Sequence, residues 1–183
     1  MAHKGKIIDN PVTGERITFL QTAQDTNGQL LQMDMVVKPT GCVASEHVHP
    51  GLEERLAIIS GTCMFRVNGK EQIFSTGETV IVPPDTPHYW CNAGTEEAHL
   101  VLEFRPASQM EASFETWFGL ARDGKTDAYG VPNLLQLAVI VQEFWNDVQP
   151  NMLPPMLRKP FFWSLAFIGK LFGYRARYPQ YSE

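Results

Sequence analysis

The chain has little that would place it across a bilayer, in a disulfide-built scaffold or on nucleic acid. It contains three cysteines, Cys42, Cys63 and Cys91, an odd number with no Cys-x-x-Cys spacing. That count argues against a disulfide framework and a structural zinc knuckle, and predicts buried, reduced thiols. The longest apolar or small run in the C-terminal part, Phe161 to Gly169, lies between Lys159 and Lys170 and is well short of the roughly 20 residues that span a bilayer. The first ten residues, MAHKGKIIDN, carry charge but no apolar core of a secretory signal, so a cytoplasmic, soluble protein is expected. No basic stripe runs through the larger part: residues 1–147 carry a net charge of −9 and residues 148–183 a net charge of +4. A nucleic-acid groove is therefore not expected. No internal repeat or low-complexity segment is present.

What is there is a globular composition. Apolar residues make up 44% of the 183-residue chain and charged residues 19%, which excludes wholesale disorder and fits one core with an appended subdomain. From about residue 6 to 105 the hydrophobic pattern has period two and is broken by Gly and Pro, the mark of short antiparallel strands. In Gln29–Lys38, Leu31, Met33, Met35 and Val37 share one face while Gln32, Asp34 and Lys38 take the other. Strands are expected over 15–22, 29–37, 55–60, 62–67, 71–74, 78–82, 88–91 and 97–105, seven to nine in all, as in a sandwich or barrel. Asn27-Gly28 and Asn68-Gly69 read as two-residue hairpin turns, because both central positions of a type I′ turn need positive φ. After Pro106 the period becomes helical. Ser108-Gln-Met-Glu111 reads as a capping box opening a helix over 108–122, a second is expected over Asn133–Val148, and a third, about 155–173, is apolar almost all round and so expected to be buried. The division falls at 1–106 for the barrel and 107–183 for a helical extension, whose helices are expected on the barrel exterior or across a dimer, with a lid over the barrel mouth as the next reading.

Two segments carry the chemistry. Gly41-CVASE-His47-Val-His49-PGLE-Glu54-RLAIIS-Gly61 holds two histidines one residue apart, and on a strand such residues project to the same face. Gly77-ETVIV-Pro83-Pro84-Asp85-TP-His88-YWC-Asn92 supplies a third imidazole from a later strand. Three imidazole nitrogens and a carboxylate suit a divalent transition metal: iron, manganese, nickel, cobalt, copper or zinc. The bland alternative is a hydrogen-bonded polar cluster without metal. His99, beside Glu96 and Glu97, reads as a solvated histidine outside the set, and His3 as part of a loose terminus. Tyr89 and Trp90 alternate, so one of them packs inward. Arg66 and Arg105 read as surface salt-bridge partners, and core positions include Leu31, Ile58, Phe65, Ile81 and Leu102.

These two segments resemble the paired motifs of the cupin superfamily. Gly41, His47, His49, Glu54 and Gly61 meet every fixed position of the first motif, and Gly77, Pro83, His88 and Asn92 those of the second, with Asp85 standing where the pattern has Gly. The motifs cover 41–92, and the strand pattern extends the resemblance to about 6–105. The resemblance implies an all-β fold, a small RmlC-like jelly-roll barrel (a double-stranded β-helix) with C-terminal α-helices, and a metal held inside by His47, His49, Glu54 and His88. Glu54 fits the spacing to Gly61, which leaves Glu53 exposed, and Glu54 is also the candidate catalytic base. The superfamily hosts dioxygenases, isomerases and lyases as well as noncatalytic sensors. A metal-dependent enzyme, an oxygenase slightly ahead, acting on a small, largely apolar or aromatic molecule is expected. A noncatalytic ligand-binding or sensing protein is the alternative. A homodimer is expected too, since such barrels present sheet edges that association hides. Contact of the basic, aromatic tail with a membrane surface is a less favoured reading.

Overall fold

The structure is a computed structural model that describes residues 2–43 and 45–182. Ten strands build the barrel: β1 (Ile7–Asn10), β2 (Glu15–Gln21), β3 (Leu31–Val37), β4 (His47–Val48), β5 (Glu53–Ser60), β6 (Thr62–Val67), β7 (Lys70–Ser75), β8 (Thr79–Val82), β9 (His88–Asn92) and β10 (Ala98–Arg105). They are followed by α1 (Met110–Arg122), α2 (Leu134–Glu143), a two-residue strand β11 (Gln149–Pro150), α3 (Pro155–Leu171) and a short 3-10 turn, Pro179–Tyr181. The strands form two sheets, one ordered β1-β2-β3-β10-β5-β8 and the other β11-β4-β9-β6-β7, with antiparallel pairing throughout. This is the all-β jelly-roll barrel with C-terminal helices that the motifs imply.

Alternation sets the core. Leu31, Met33, Met35 and Val37 of β3 are all buried and share the inner face of their sheet with Leu100 and Leu102 of β10 and Leu56 and Ile58 of β5, so each strand contributes every second side chain to the barrel interior. Trp90 is the inward member of the Tyr89/Trp90 pair and stacks on Phe65 at 5.8 Å. Ile81 is a correction: it is 47% exposed, and its neighbours Val80 and Val82 take the inward positions of β8.

The motif glycines serve the backbone. A Cβ on Gly41 would meet the carbonyl oxygen of Thr13 at 2.7 Å, and one on Gly61, at φ +91°, would meet Ala98 Cα at 2.9 Å. Asp85, in the Gly position of the second motif, has φ 59°, a left-handed conformation that Asp tolerates. Asn68-Gly69 makes the expected two-residue turn between β6 and β7, with Val67 opposite Lys70. Asn27-Gly28 has the expected positive φ at both residues, but it lies within a loop of nine residues, 22–30, rather than joining the strands directly.

Three further expectations are corrected. Ser108 does not cap α1; Gln109 is the N-cap residue, and its side chain makes no hydrogen bond to the N–H groups of the helix. The Glu111 carboxylate instead accepts the backbone N–H of Ala23, tying the helix to the barrel. The second helix stops at Glu143, short of Val148, because the chain turns there to run across the barrel as β11. Cys42 and Cys91 are not thiols: they form a disulfide between neighbouring segments whose Cα atoms lie 4.1 Å apart. Disulfides persist in oxidising compartments and are uncommon in the cytoplasm, so this one pulls against the cytoplasmic expectation. Cys63 is the buried thiol that was expected, with burial pushing it up to about 11. Among the described residues, no helix is long and apolar enough to cross a membrane.

Candidate metal centre

His47 and His49 leave β4 on the same face, with the intervening Val48 buried on the other side. His88 opens β9 directly opposite His47 in the ladder, and Glu54, the second residue of β5, comes from the other sheet between Val82 and Phe104. Strand pairing therefore brings the four motif side chains to one point. One ligand atom from each lies within 4.8 Å of all the others, and His49, Glu54 and His88 are buried. Glu53, one residue away, points outward and pairs with Arg55 at 2.6 Å.

The hydrogen bonds decide which atoms are available. Nδ1 of His47 donates to the carbonyl oxygen of Ser45 at 2.8 Å, Nδ1 of His49 to that of Asp147 at 2.6 Å, and Nδ1 of His88 to that of Thr86 at 2.9 Å. In neutral imidazole a protonated Nδ1 leaves Nε2 with a lone pair, so all three rings present an acceptor. Nε2 of His49, Nε2 of His88 and Oε2 of Glu54 are buried without a hydrogen-bond partner, although His88 Nε2 lies only 2.7 Å and His49 Nε2 3.5 Å from Glu54 Oε2. Convergent acceptors without a donor between them are costly unless a cation sits there. The residues present fit a divalent metal, held by three imidazoles that backbone carbonyls orient.

Electrostatics agree with this arrangement. Burial, reinforced by His88 and His49, pushes His47 down to about 3, so it is neutral at any ordinary pH. Burial opposes ionisation of Glu54, but the adjacent His88 and His49 outweigh it and hold the carboxyl below the usual carboxylate range. Burial lowers His88, and the Glu54 carboxylate more than reverses that, so its net shift is upward.

The cluster opens on a cavity of about 310 Å³. Barrel residues Met35, Trp90, Leu102 and Phe104 form one wall, while Phe114 and Phe118 of α1 and Ile140 and Val141 of α2 form another. The helices thus line the cavity, nearer the lid reading than simple packing on the exterior. Val148, Pro150 and Asn151 line the cavity as well: Pro150 pairs with His47 across β11 and β4, and the backbone N–H and side-chain amide of Asn151 donate to the Glu46 backbone carbonyl at 3.0 Å and to its Oε2 at 2.7 Å.

Two contributors escaped the sequence reading. Glu15, buried on β2, also lines the cavity and accepts a hydrogen bond from Thr13 Oγ1 at 2.6 Å; burial pushes it up to about 7, against that bond and with a smaller contribution from Glu54. Its signal was present in the pattern, an acid on the inward face shared with Ile17 and Phe19. Asp147 acts through its backbone carbonyl, a group that no sequence letter distinguishes. The remaining candidates fall outside: His99 is half-exposed and hydrogen-bonded through Nε2 to the Asp34 carboxylate, Arg66 pairs with Glu71 at 2.5 Å and Arg105 with Glu103 at 2.8 Å. Of the inward-facing strand residues, Met35 and Phe104 reach the cavity, while Met33, Cys63 and Phe65 are core.

Comparison with known proteins agrees. Residues 33–104 match the model of the cupin domain family. No curated protein matches the chain. Among solved structures, KdgF from a Halomonas species aligns with a TM-score of 0.51 at 14% identity, over 58% of this chain and 92% of that one. An RmlC-like cupin from Shewanella frigidimarina aligns with a TM-score of 0.51 at 18% identity, over 61% and 92%. A predicted oxalate decarboxylase from Thermotoga maritima gives 0.51 at 20% identity, over 56% and 92%. At such identities the likeness is one of fold. The family match over the two motifs, the jelly-roll topology and the four converging side chains lead to one assignment: residues 33–104 of this chain are a cupin domain.

Proposed function

We propose that the chain is a metal-dependent enzyme acting on a small, largely apolar or aromatic organic molecule, with oxygenation ahead of isomerisation or lyase chemistry. The observation that carries the reading is the set of unpaired acceptors, His49 Nε2, His88 Nε2 and Glu54 Oε2, converging at the wall of a largely apolar cavity. His47, His49, Glu54 and His88 would hold iron, manganese, nickel, copper or zinc, which when bound supplies Lewis acidity or redox chemistry.

The chain's own residues account for the rest. Phe104, Phe114 and Trp90 present flat apolar walls to a ring or short chain. Glu54 is placed to hold or take a proton beside the reacting atoms. Glu15 offers a hydrogen bond elsewhere on the cavity wall. Among the described residues the lining contains no Lys or Arg, which disfavours dianions such as oxalate and phosphorylated sugars, whatever the fold likeness to a predicted oxalate decarboxylase.

The test is turnover of a library of small aromatic and aliphatic acids, alcohols and ketones by metal-reconstituted protein, with and without air. Conversion that requires air supports the oxygenase, conversion without it supports isomerase or lyase chemistry, and saturable binding with no conversion favours the noncatalytic ligand-binding alternative.

A further inference from the structure

The third helix is not buried as its composition predicts. Phe162, Ala166 and Gly169 form a narrow stripe that packs on α2, and Arg158 is buried beside them. The rest of the helix faces outward. Met156 is 82% exposed, Phe167 67%, Leu171 73% and Phe172 75%. Leu157, Phe161 and Ile168 extend the same surface, which only Lys159, Ser164 and Lys170 interrupt with polar side chains. A monomer in water rarely keeps a contiguous apolar surface of this kind uncovered.

We propose that this outward face of α3 docks on membrane surfaces that carry anionic lipid headgroups. The charge pattern selects that occupant. Between residues 148 and 182 the sequence has five Lys or Arg and no Asp or Glu, while residues 1–147 are net −9. Lys159, its ammonium 5.2 Å from the Trp163 ring centroid, lies near one end of the helix and Lys170 near the other, with Arg175 beyond. Long cationic stems flanking an apolar stripe can reach headgroups while the aromatic and aliphatic side chains enter the acyl boundary. The acidic barrel is repelled by the same surface, so the chain docks tail first. A 17-residue helix is about 25 Å long, suited to lying in the interface. A second copy is the poorer occupant. Two such faces brought together would oppose Lys159 and Lys170 of one copy to those of the other, with no acid in the segment to pair them.

The experiment is sedimentation of the full-length protein with vesicles of phosphatidylcholine alone or with about one-third phosphatidylglycerol. The expected result is roughly tenfold stronger binding to the anionic vesicles, weakening as salt is raised. A Phe167→Glu, Leu171→Glu variant should lose binding to both vesicle types. A Lys159→Glu, Lys170→Glu variant should lose about tenfold on the anionic vesicles alone. All four positions are exposed, so circular dichroism and thermal midpoint should match those of the parent. Failure to sediment with either vesicle, or equal binding to both, overturns the proposal. So does light scattering that shows a dimer which the Phe167→Glu, Leu171→Glu variant converts to a monomer, because the face would then belong to a second copy.

Discussion

The imidazole of His49 donates from Nδ1 to the backbone carbonyl of Asp147 at 2.6 Å, a bond between residues 98 positions apart. One of the four candidate metal ligands is therefore oriented by the C-terminal extension rather than by the barrel. The Asp147 side chain fixes that carbonyl, accepting from the backbone N–H and the amide of Gln109, each at 3.3 Å. Replacing Asp147 by Ala removes no ligand but frees the carbonyl to move. Metal affinity, measured by competition with a chromogenic chelator, should fall about 10- to 100-fold, as when outer-shell partners of metal-bound histidines are removed.

Direct removal of a ligand should be more severe. His49→Ala and His88→Ala leave three of the four candidate donors, and purified protein should contain little metal by elemental analysis. His99→Ala should match the parent, since His99 pairs with Asp34 away from the cluster. Circular dichroism should show all three variants folded, because the barrel core rests on many buried apolar side chains such as Leu31, Leu56, Ile58 and Phe65. Full metal content in both His49→Ala and His88→Ala would remove the basis for a metal centre at this site.

Much of the barrel and the four converging side chains were legible because they rest on short-range rules. Period-two alternation locates strands, Asn-Gly marks turns and His-x-His places two rings on one face. What was not legible depends on tertiary placement. The Cys42–Cys91 bridge needs two segments 49 positions apart to become neighbours. The Ser108 cap failed because that residue has φ 46°, outside the extended conformation in which a Ser caps a helix. An apolar-all-round α3 reads as buried in sequence, yet the fold covers only one stripe of it. Ile81 was misplaced because the run Thr79–Val82 has apolar residues at three successive positions, so periodicity alone cannot choose a face.

The β8 register yields a simple check. Val82 is buried and Ile81 half-exposed, so Val82→Ala should cost about 2 kcal/mol and Ile81→Ala less than about 1 kcal/mol. Urea denaturation of the two variants measures both. The opposite order would mean that β8 faces the core through the other set of side chains.

Glu15 links the cavity to pH. Unfolded, its carboxyl titrates near 4.5; in the fold, burial raises it to about 7. Between those values the native state binds the proton more tightly, so stability falls as pH rises through that window. Below it both states are protonated and no cost remains. Above it the full penalty stands, on the order of 3 kcal/mol from the size of the shift. Glu15→Gln keeps an acceptor for the Thr13 hydroxyl and removes the ionisation. The variant should therefore have nearly the parent's stability at about pH 4.5 and exceed it by up to roughly 3 kcal/mol at about pH 8, as read by chemical denaturation at a series of pH values. Other groups titrate in both proteins and cancel in the difference. Parallel stability curves for parent and variant would show that Glu15 ionises normally and is not held neutral at the cavity wall.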